Sequence, residues 1–141
     1  MLFRVMEQSD LDYMQQHGVK EKDRKIRAGE SEYNYALVDG EVTLGIAGFR
    51  FINDTTAWCW LCMGEAATQH LTESFRCLAT WIPSFCRDFG VRRLEAYVEV
   101  GFEEGIRLVE HLQFEEESRM KDFMGKGKPG IRFVRFFEES K

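Results

Sequence analysis

The stretch "YVEVGFEEGIRLVEHLQF", residues 97–114, joins two different hydrophobic periods through a glycine. Its first four residues belong to the segment 91–100, where apolar side chains alternate with polar ones as in a strand that has one buried face. After Gly101 the apolar residues recur every three or four positions, as on one face of a helix. These residues are Leu94, Ala96, Val98 and Val100 in the first part, and Phe102, Ile106, Val109 and Leu112 in the second. The stretch therefore predicts a strand that leads directly into an amphipathic helix.

Residues 70–90, just upstream, predict a long buried helix that ends at Gly90. Pro83 lies inside it, and proline removes a backbone donor, so a kink or a break is expected near residues 79–82. A strand, a crossing helix and a second strand normally make a right-handed unit with parallel strands. We therefore expect the strand that ends at Met63 to run parallel to residues 91–100.

Residues 33–63 change to a period of two and predict three antiparallel strands, over 33–38, 41–52 and 55–63. Asp39-Gly40 is a strong hairpin signal, because a type I′ turn needs positive φ at both central positions. The apolar parity changes within the middle strand, so a β-bulge is expected at Gly45 or Gly48.

The two ends of the chain carry shorter elements. Residues 2–6 predict a strand, and a helix is expected to begin at Ser9 or Asp10 and to end at Gly18. Residues 19–32 are polar and suit either a solvated helix or a connection. Two closing strands, 117–124 and 131–137, flank the turn "GKGKPG".

Composition limits the class of protein. The chain has 141 residues, 44% of them hydrophobic, which suits a single domain over residues 1–141. Its formal net charge is -5, which argues against a nucleic-acid partner. The first residues lack a secretion-signal pattern, and no apolar run approaches the roughly 20 residues that cross a membrane. We therefore expect a soluble, cytoplasmic protein.

The cysteines at positions 59, 62, 77 and 86 could form disulfides or a zinc site, since Cys59 and Cys62 have the CxxC spacing. Residues three apart in a strand point to opposite faces, so these two sulfurs do not converge on one metal ion. We expect buried apolar thiols and no metal site.

The order of predicted elements, together with residues 90–114, resembles the GNAT superfamily of acyl-CoA-dependent N-acyltransferases. "GVRRLEAYVEVGFEEGIRLVEHLQF" is similar, without a gap, to the strand and helix that end in Leu-Gly-Phe in that family. The resemblance implies an α+β fold: a mixed, mostly antiparallel central sheet with helices on both faces, whose fourth and fifth strands are parallel and splayed.

Acetyl-CoA is the co-substrate that the resemblance implies. Its pantetheine arm would bind the backbone near Leu61, Cys62 and Met63. Its pyrophosphate would bind at the start of the long helix. There the family motif begins with Gln or Arg, has Gly at the third residue after it, and has Gly or Ala at the fifth. Starting that motif at His70 puts Glu73 and Phe75 at the glycine positions, and starting it at Gln69 puts Thr72 and Ser74 there. The implied pyrophosphate set is Gln69, His70, Leu71, Thr72, Glu73 and Ser74.

Two features weigh against a standard mechanism. A carboxylate at Glu73 repels a pyrophosphate, and Val109 stands where many family members have a tyrosine that protonates the leaving thiolate. Phe102 likewise replaces a common Asn. The alternative function is therefore a catalytically inactive GNAT-like binding or structural protein, of the kind encoded by bacteriophages or associated with virions. The acceptor amine or protein partner is not identified, and a homodimer stays open.

Glu65 is the candidate general base, because it follows the fourth strand, where acyltransferases frequently keep a carboxylate. A solvated loop glutamate is the simpler interpretation. Glu99, His70 and His111 are weaker candidates for proton transfer or phosphate contact. Trp58 and Trp60 could form a wall for substrate or pantetheine, but core or interface packing is the simpler interpretation. The basic residues Lys126, Lys128 and Arg132 could hold an acidic partner or the adenosine phosphate, but a solvated hairpin tip is simpler.

Overall fold

The computed structural model describes residues 1–17 and 33–138. These residues form the strands β1 (Leu2–Val5), β2 (Tyr33–Asp39), β3 (Val42–Phe51), β4 (Thr56–Met63), β5 (Arg93–Glu99), β6 (Glu115–Met120) and β7 (Gly130–Phe136), and the helices α1 (Gln8–His17), α2 (Leu71–Phe89) and α3 (Glu103–His111), with a 3-10 helix at Glu65–Gln69. Gly18, the predicted end of the first helix, and residues 19–32 lie outside the described residues.

The strands make one sheet in the order β1-β2-β3-β4-β5-β7-β6. Neighbouring strands whose pairing is resolved residue by residue are antiparallel, as β1 with β2, β2 with β3, β5 with β7, and β6 with β7. β4 and β5 are parallel. The predicted α+β class, with a mostly antiparallel sheet and parallel fourth and fifth strands, is therefore confirmed.

The chain divides into two compact units. Unit 1 comprises residues 1–50 and 59–84, and unit 2 comprises residues 51–58 and 85–141. The assignment of residues 1–141 to a single domain stays a prediction.

Unit 1 is built around β3, whose residues 43–49 are buried on both faces of the sheet. One hydrophobic cluster joins α1 to the sheet, and a second joins the sheet to the 3-10 helix. The first is centred on Met14, Ala36, Val38, Ile46 and Cys62, and the second on Leu37, Leu44 and Ala67.

The start of α1 is fixed by Asp10, the third residue of the helix. Its carboxylate accepts a hydrogen bond from the backbone N–H of Glu7 at 2.8 Å, and this satisfies a donor that the helix itself leaves open. The helix therefore begins at Gln8, slightly before the predicted Ser9 or Asp10.

The predicted hairpin between β2 and β3 is present, but its turn type was wrong. Asp39 pairs with Val42, so the two turn residues are Gly40 and Glu41. Gly40 has φ of 61°, whereas neither Asp39 nor Glu41 has positive φ. A type I′ turn needs positive φ at both central residues, and here only the first of them, Gly40, has it.

The predicted bulge is confirmed beside Gly45. Leu37 pairs with Gly45, but the next residue of β2, Val38, pairs with Thr43. Leu44 is therefore an extra residue on β3, and its side chain enters the second cluster of unit 1. The register at Gly48 is regular, since Gly48 pairs with Asn34.

In unit 2, the end of α2 is closed by Gly90, which has φ of 73°. The N–H of Val91 donates to the carbonyl of Cys86 at 2.8 Å, across that left-handed residue. Of the kink or break predicted near residues 79–82, the break was wrong, because α2 runs without interruption through Pro83, and a kink stays a prediction. A helix can continue past a proline at the cost of one hydrogen bond when packing holds both halves.

α3 ends in the same way, but on a glutamine. Gln113 has φ of 69°. The N–H of Phe114 donates to the carbonyl of Val109 at 3.0 Å, and the N–H of Gln113 donates to that of Glu110 at 3.0 Å. These two bonds define the Schellman ending, which normally uses glycine.

The last two strands form a hairpin whose first strand was misplaced by the prediction. β6 runs from Glu115 to Met120 instead of over residues 117–124. Asp122 has φ of 58°, and its carboxylate accepts from the N–H of Gly127 at 2.8 Å. These two features turn the chain before Phe123, so Phe123 and Met124 belong to the turn.

Candidate functional site

The start of α2 presents backbone donors on unit 1. β4 ends at Met63, and His70 connects the 3-10 helix to α2: its N–H donates to the carbonyl of Ala67 at 3.0 Å, and its carbonyl accepts from the N–H of Ser74 at 2.9 Å. The amides of the first three residues of α2, Leu71 to Glu73, therefore have no acceptor within the helix. Together with the positive end of the helix dipole, they form the kind of backbone site that binds anions.

The side chains of this first turn divide into an outer and an inner set. Gln69, Thr72 and Glu73 are exposed, and Leu71 is 65% exposed. Ser74 is only 2% exposed, and its hydroxyl lies 4.0 Å from the sulfur of Met1. In the alignment that starts at Gln69, Ser74 therefore points into unit 1. In the alignment that starts at His70, the exposed Glu73 stands at the first glycine position.

At the end of β4, side chains are occupied by packing in the core of unit 1. Cys62 is buried in the first cluster of unit 1, and Met63 packs against the second. The Cys62 carbonyl lies 2.9 Å from where a side-chain carbon on Gly45 would be, so β3 approaches this end closely. Beyond it, the N–H of Gly64 donates to the carbonyl of Leu44 at 2.8 Å. Leu61 is half-buried.

The proton-transfer candidates are spread over both units. Glu65 is exposed at the first position of the 3-10 helix in unit 1. Glu99 ends β5 in unit 2, where its carbonyl accepts from the N–H of Phe102 at 3.1 Å. His111 is exposed, and its Nδ1 lies 2.7 Å from the carbonyl of Arg107 in the same helix. The ring of His111 thus serves the end of α3.

The helix of the opening stretch carries no proton donor at the two positions where the family has polar residues. Phe102 lies at the N-cap of α3 without a side-chain cap, and its ring covers Gly105. Val109 is half-buried. In unit 2 these side chains pack and do not transfer protons.

A polar network on unit 2 was missed by the sequence interpretation. The guanidinium of Arg93 donates to both carboxylate oxygens of Glu117 and, through Nε at 2.8 Å, to Glu95. The Tyr97 hydroxyl donates to the other oxygen of Glu95 at 2.7 Å. Arg132 lies beside both carboxylates. The signal was the odd positions of β5, which carry Arg, Glu, Tyr and Glu while the even positions are apolar.

Charge and burial oppose each other in this network. Burial by itself would raise the pKa of Glu95, but the hydrogen bonds from Arg93 and Tyr97 outweigh burial, so the pKa lies below its usual value. Burial and the neighbouring Glu95 both raise the pKa of Tyr97. At neutral pH the network therefore holds Glu95 ionised and Tyr97 protonated.

The cysteines are all free thiols. Cys62 and Cys86 are buried, while Cys59 and Cys77 are half-buried, so the expected burial holds fully for two of the four. Burial raises the pKa of Cys86 to about 12. Within residues 1–17 and 33–138, no group of three or more His, Cys, Asp or Glu side chains could hold a metal ion.

No helix in the described part of the chain is long and apolar enough to cross a membrane.

Comparison with solved structures identifies the fold. Ard1 from Thermoplasma volcanium matches with a TM-score of 0.82 at 13% identity, over 97% of this chain and 97% of Ard1. The ribosomal-protein-S18-alanine N-acetyltransferase from Escherichia coli matches with a TM-score of 0.77 at 16% identity, over 99% and 95% of the two chains. RimL, a ribosomal L7/L12 alpha-N-protein acetyltransferase in complex with coenzyme A, matches with a TM-score of 0.77 at 13% identity, over 98% and 94%.

Sequence comparison alone finds no such relation: no protein-family model and no curated protein matches the chain. At identities this low, a structural match shows a shared fold. The resemblance drawn from residues 90–114 is therefore confirmed at the level of the fold, and the chain has a divergent form of the GNAT acetyltransferase fold.

Proposed function

We propose that this protein is an acyl-CoA-dependent N-acyltransferase that transfers an acetyl group to an amine. The observation that supports it best is the start of α2, where three backbone amides have no acceptor within a 19-residue helix and lie at its positive end, in a fold shared with N-acetyltransferases. The RimL structure holds coenzyme A, which makes an acyl-CoA the natural donor to test.

In this proposal unit 1 binds the donor. The pyrophosphate accepts hydrogen bonds from the amides of Leu71, Thr72 and Glu73, with Gln69 and His70 beside them. The pantetheine arm lies along the backbone of Leu61–Met63, whose side chains Cys62 and Met63 are already committed to the core. Ser74 supports the first turn of α2 from inside unit 1.

The reaction requires a neutral amine. Glu65 takes the proton from the substrate ammonium, directly or through water. The amine nitrogen then attacks the thioester carbonyl, a C–N bond forms, the C–S bond breaks, and coenzyme A leaves as a thiolate. The nitrogen, positively charged once the C–N bond has formed, releases a proton, and this proton reaches the thiolate through water, because the position of Val109 holds no proton donor.

Donor binding and turnover test different parts of the proposal. Acetyl-CoA should raise the melting temperature, because a ligand that binds only the native state stabilises it by mass action. Release of free coenzyme A should follow when an amine is added, with spermidine and peptides with free α-amines as first acceptors. Glu65→Gln should abolish release while keeping the thermal shift, and Glu41→Gln, on the exposed β2–β3 turn, should change neither. No thermal shift with millimolar acetyl-CoA or longer acyl-CoAs would contradict the proposal.

A second function is favoured by Glu73 and Val109. The carboxylate at the donor site and the missing proton donor suit a GNAT-fold protein that has lost its chemistry and acts as a binding or structural component, of the phage-encoded or virion-associated type. It predicts no thermal shift with any acyl-CoA and a stable complex with another protein. Cytoplasmic location and a homodimer stay predictions under either function.

A further inference from the structure

Arg132, on β7 of unit 2, has more hydrogen-bond donors than acceptors around it. The four carboxylate oxygens of Glu95 and Glu117 already accept hydrogen bonds from Arg93 or Tyr97. The Nε of Arg132 lies 3.9 Å from Glu95, and one terminal nitrogen lies 3.8 Å from Glu117, both beyond hydrogen-bonding distance. Its other terminal nitrogen reaches the sulfur of Met120, a weak acceptor, at 3.7 Å.

The Nε of Arg132 is buried and has no hydrogen-bond partner. A buried polar group of this kind normally has an acceptor, and a guanidinium without one loses the energy of a charge-assisted hydrogen bond. Since the side chain is 35% exposed, its outer nitrogens remain open to a ligand. Arg132 is therefore held in place by its neighbours with much of its binding capacity unused.

An aromatic cluster centred on Tyr97 lies beside the guanidinium of Arg132. The guanidinium of Arg132 lies 5.9 Å from the centre of the Tyr97 ring. Phe123 packs on Tyr97 with ring centres 4.8 Å apart, and Trp58 lies 6.0 Å away on β4. Phe123 is 48% exposed and belongs to the turn after β6. A flat apolar group that approached Arg132 would meet the Tyr97 ring, which Phe123 and Trp58 flank.

We propose that Arg132, with Tyr97, Phe123 and Trp58, forms a binding site for an organic carboxylate that carries a flat apolar group. A planar carboxylate matches the donor fork of a guanidinium and would accept hydrogen bonds from its two terminal nitrogens. A dianion such as phosphate fits less well, because Glu95 and Glu117 lie within 4 Å of the same guanidinium. The network of Arg93, Arg132, Glu95 and Glu117 is already neutral, so each added negative charge is uncompensated and a dianion is opposed more strongly than a monoanion.

This site goes beyond the proposed function, since carboxylate binding requires neither acetyl-CoA nor acyl transfer. If the chain is an acyltransferase, an amine that also carries a carboxylate is an acceptor class worth testing. Failure of one proposal leaves the other standing, because one is measured by coenzyme A release and the other by binding of a carboxylate to the protein alone.

Benzoate is the probe. Addition of benzoate to the isotope-labelled protein should shift the side-chain Nε–H resonance of Arg132 in a saturable way. Acetate should bind at least about tenfold more weakly, because it lacks the ring, and benzylamine should not bind. Arg132→Gln should weaken benzoate binding at least tenfold, whereas Arg119→Gln, an exposed arginine on β6 paired with Glu116, should leave it unchanged.

Several results would overturn the proposal. They are an Arg132 resonance that does not move at saturating benzoate, binding that survives Arg132→Gln, and phosphate or acetate binding as tightly as benzoate. If Arg132→Gln does not fold, Phe123→Ala replaces it, since Phe123 is half exposed on a turn. Phe123→Ala should weaken benzoate binding several-fold and leave acetate binding unchanged.

Discussion

The indole ring of Trp60 lies directly against the backbone of Gly48, across the neighbouring strands β3 and β4, and leaves no room for a side chain on that glycine. Gly48→Ala should therefore destabilise the protein by about 1–3 kcal/mol, the usual range for an overpacked core. Urea unfolding followed by circular dichroism measures the change. Combining it with Trp60→Leu should recover part of the loss, and equal destabilisation in both backgrounds would mean that Trp60 is not the cause.

Asp10 ties α1 to the sheet in unit 1. Its buried carboxylate accepts hydrogen bonds from Arg4 at 2.7 and 3.0 Å and from the hydroxyl of Thr43 at 2.7 Å, besides the N–H of Glu7. Asp10→Asn keeps the shape but loses the charge and an acceptor oxygen. We expect a loss of about 1–3 kcal/mol of the free energy of unfolding. Thr43→Val, which removes one donor, should cost less.

The same carboxylate should make stability depend on pH. Burial alone would raise the pKa of Asp10, but the hydrogen bonds from Arg4, Glu7 and Thr43 outweigh burial and lower the pKa. A lowered pKa in the folded state contributes stability above the unfolded value, about 3.9, and that stability is lost as pH falls through the folded value. Unfolding curves between pH 7 and pH 2 should show a shallower acid loss for Asp10→Asn than for the natural protein. Parallel curves would contradict the assignment.

Gln113 occupies a left-handed position at the end of α3, where a side chain costs about 1 kcal/mol relative to glycine. Gln113→Gly should therefore stabilise the protein by roughly 0.5–1 kcal/mol. The gain comes from relief of backbone strain, and it is reduced by the greater entropy of glycine in the unfolded chain. The reverse change at the matching end of α2, Gly90→Gln, should destabilise it by a similar amount. Thermal unfolding of both variants is the measurement, and changes of the same sign would contradict the argument.

Glu73 places a negative charge at the proposed pyrophosphate site. Glu73→Gln should strengthen acetyl-CoA binding by several-fold, because it removes a repulsive charge beside the phosphates. The matched control is Glu104→Gln, which removes an acid from the first turn of α3. Isothermal titration with acetyl-CoA compares them, and an equal or weaker affinity for Glu73→Gln would show that the carboxylate does not oppose the donor.

The order of the elements and the fold could be predicted because they depend on local periods and on chain order. The alternation in residues 33–63 predicted three antiparallel strands, and the strand-helix-strand order predicted that β4 and β5 are parallel. The bulge could be placed because the apolar parity changes near Gly45.

The errors share a physical cause. The Gly40 turn, the passage of α2 through Pro83 and the start of β6 all depend on dihedral angles or on packing that a single letter does not determine. The network of Arg93, Glu95, Tyr97, Glu117 and Arg132 could not be predicted, because pairing of β5, β7 and β6 brings together residues up to 39 positions apart in the sequence. Nor could the sequence tell that Ser74 turns inward while Glu73 faces solvent.

The two outer strands of the sheet differ in what a second copy of the chain would meet. β6 ends the sheet order on one side and begins with three exposed glutamates, Glu115 to Glu117, so antiparallel pairing of two β6 edges in a register that sets these glutamates opposite one another would be repulsive. β1 ends it on the other side and exposes Leu2 and Val5. Among the described residues, the β6 edge therefore disfavours one register of sheet extension by charge, whereas the β1 edge presents apolar side chains to a second copy.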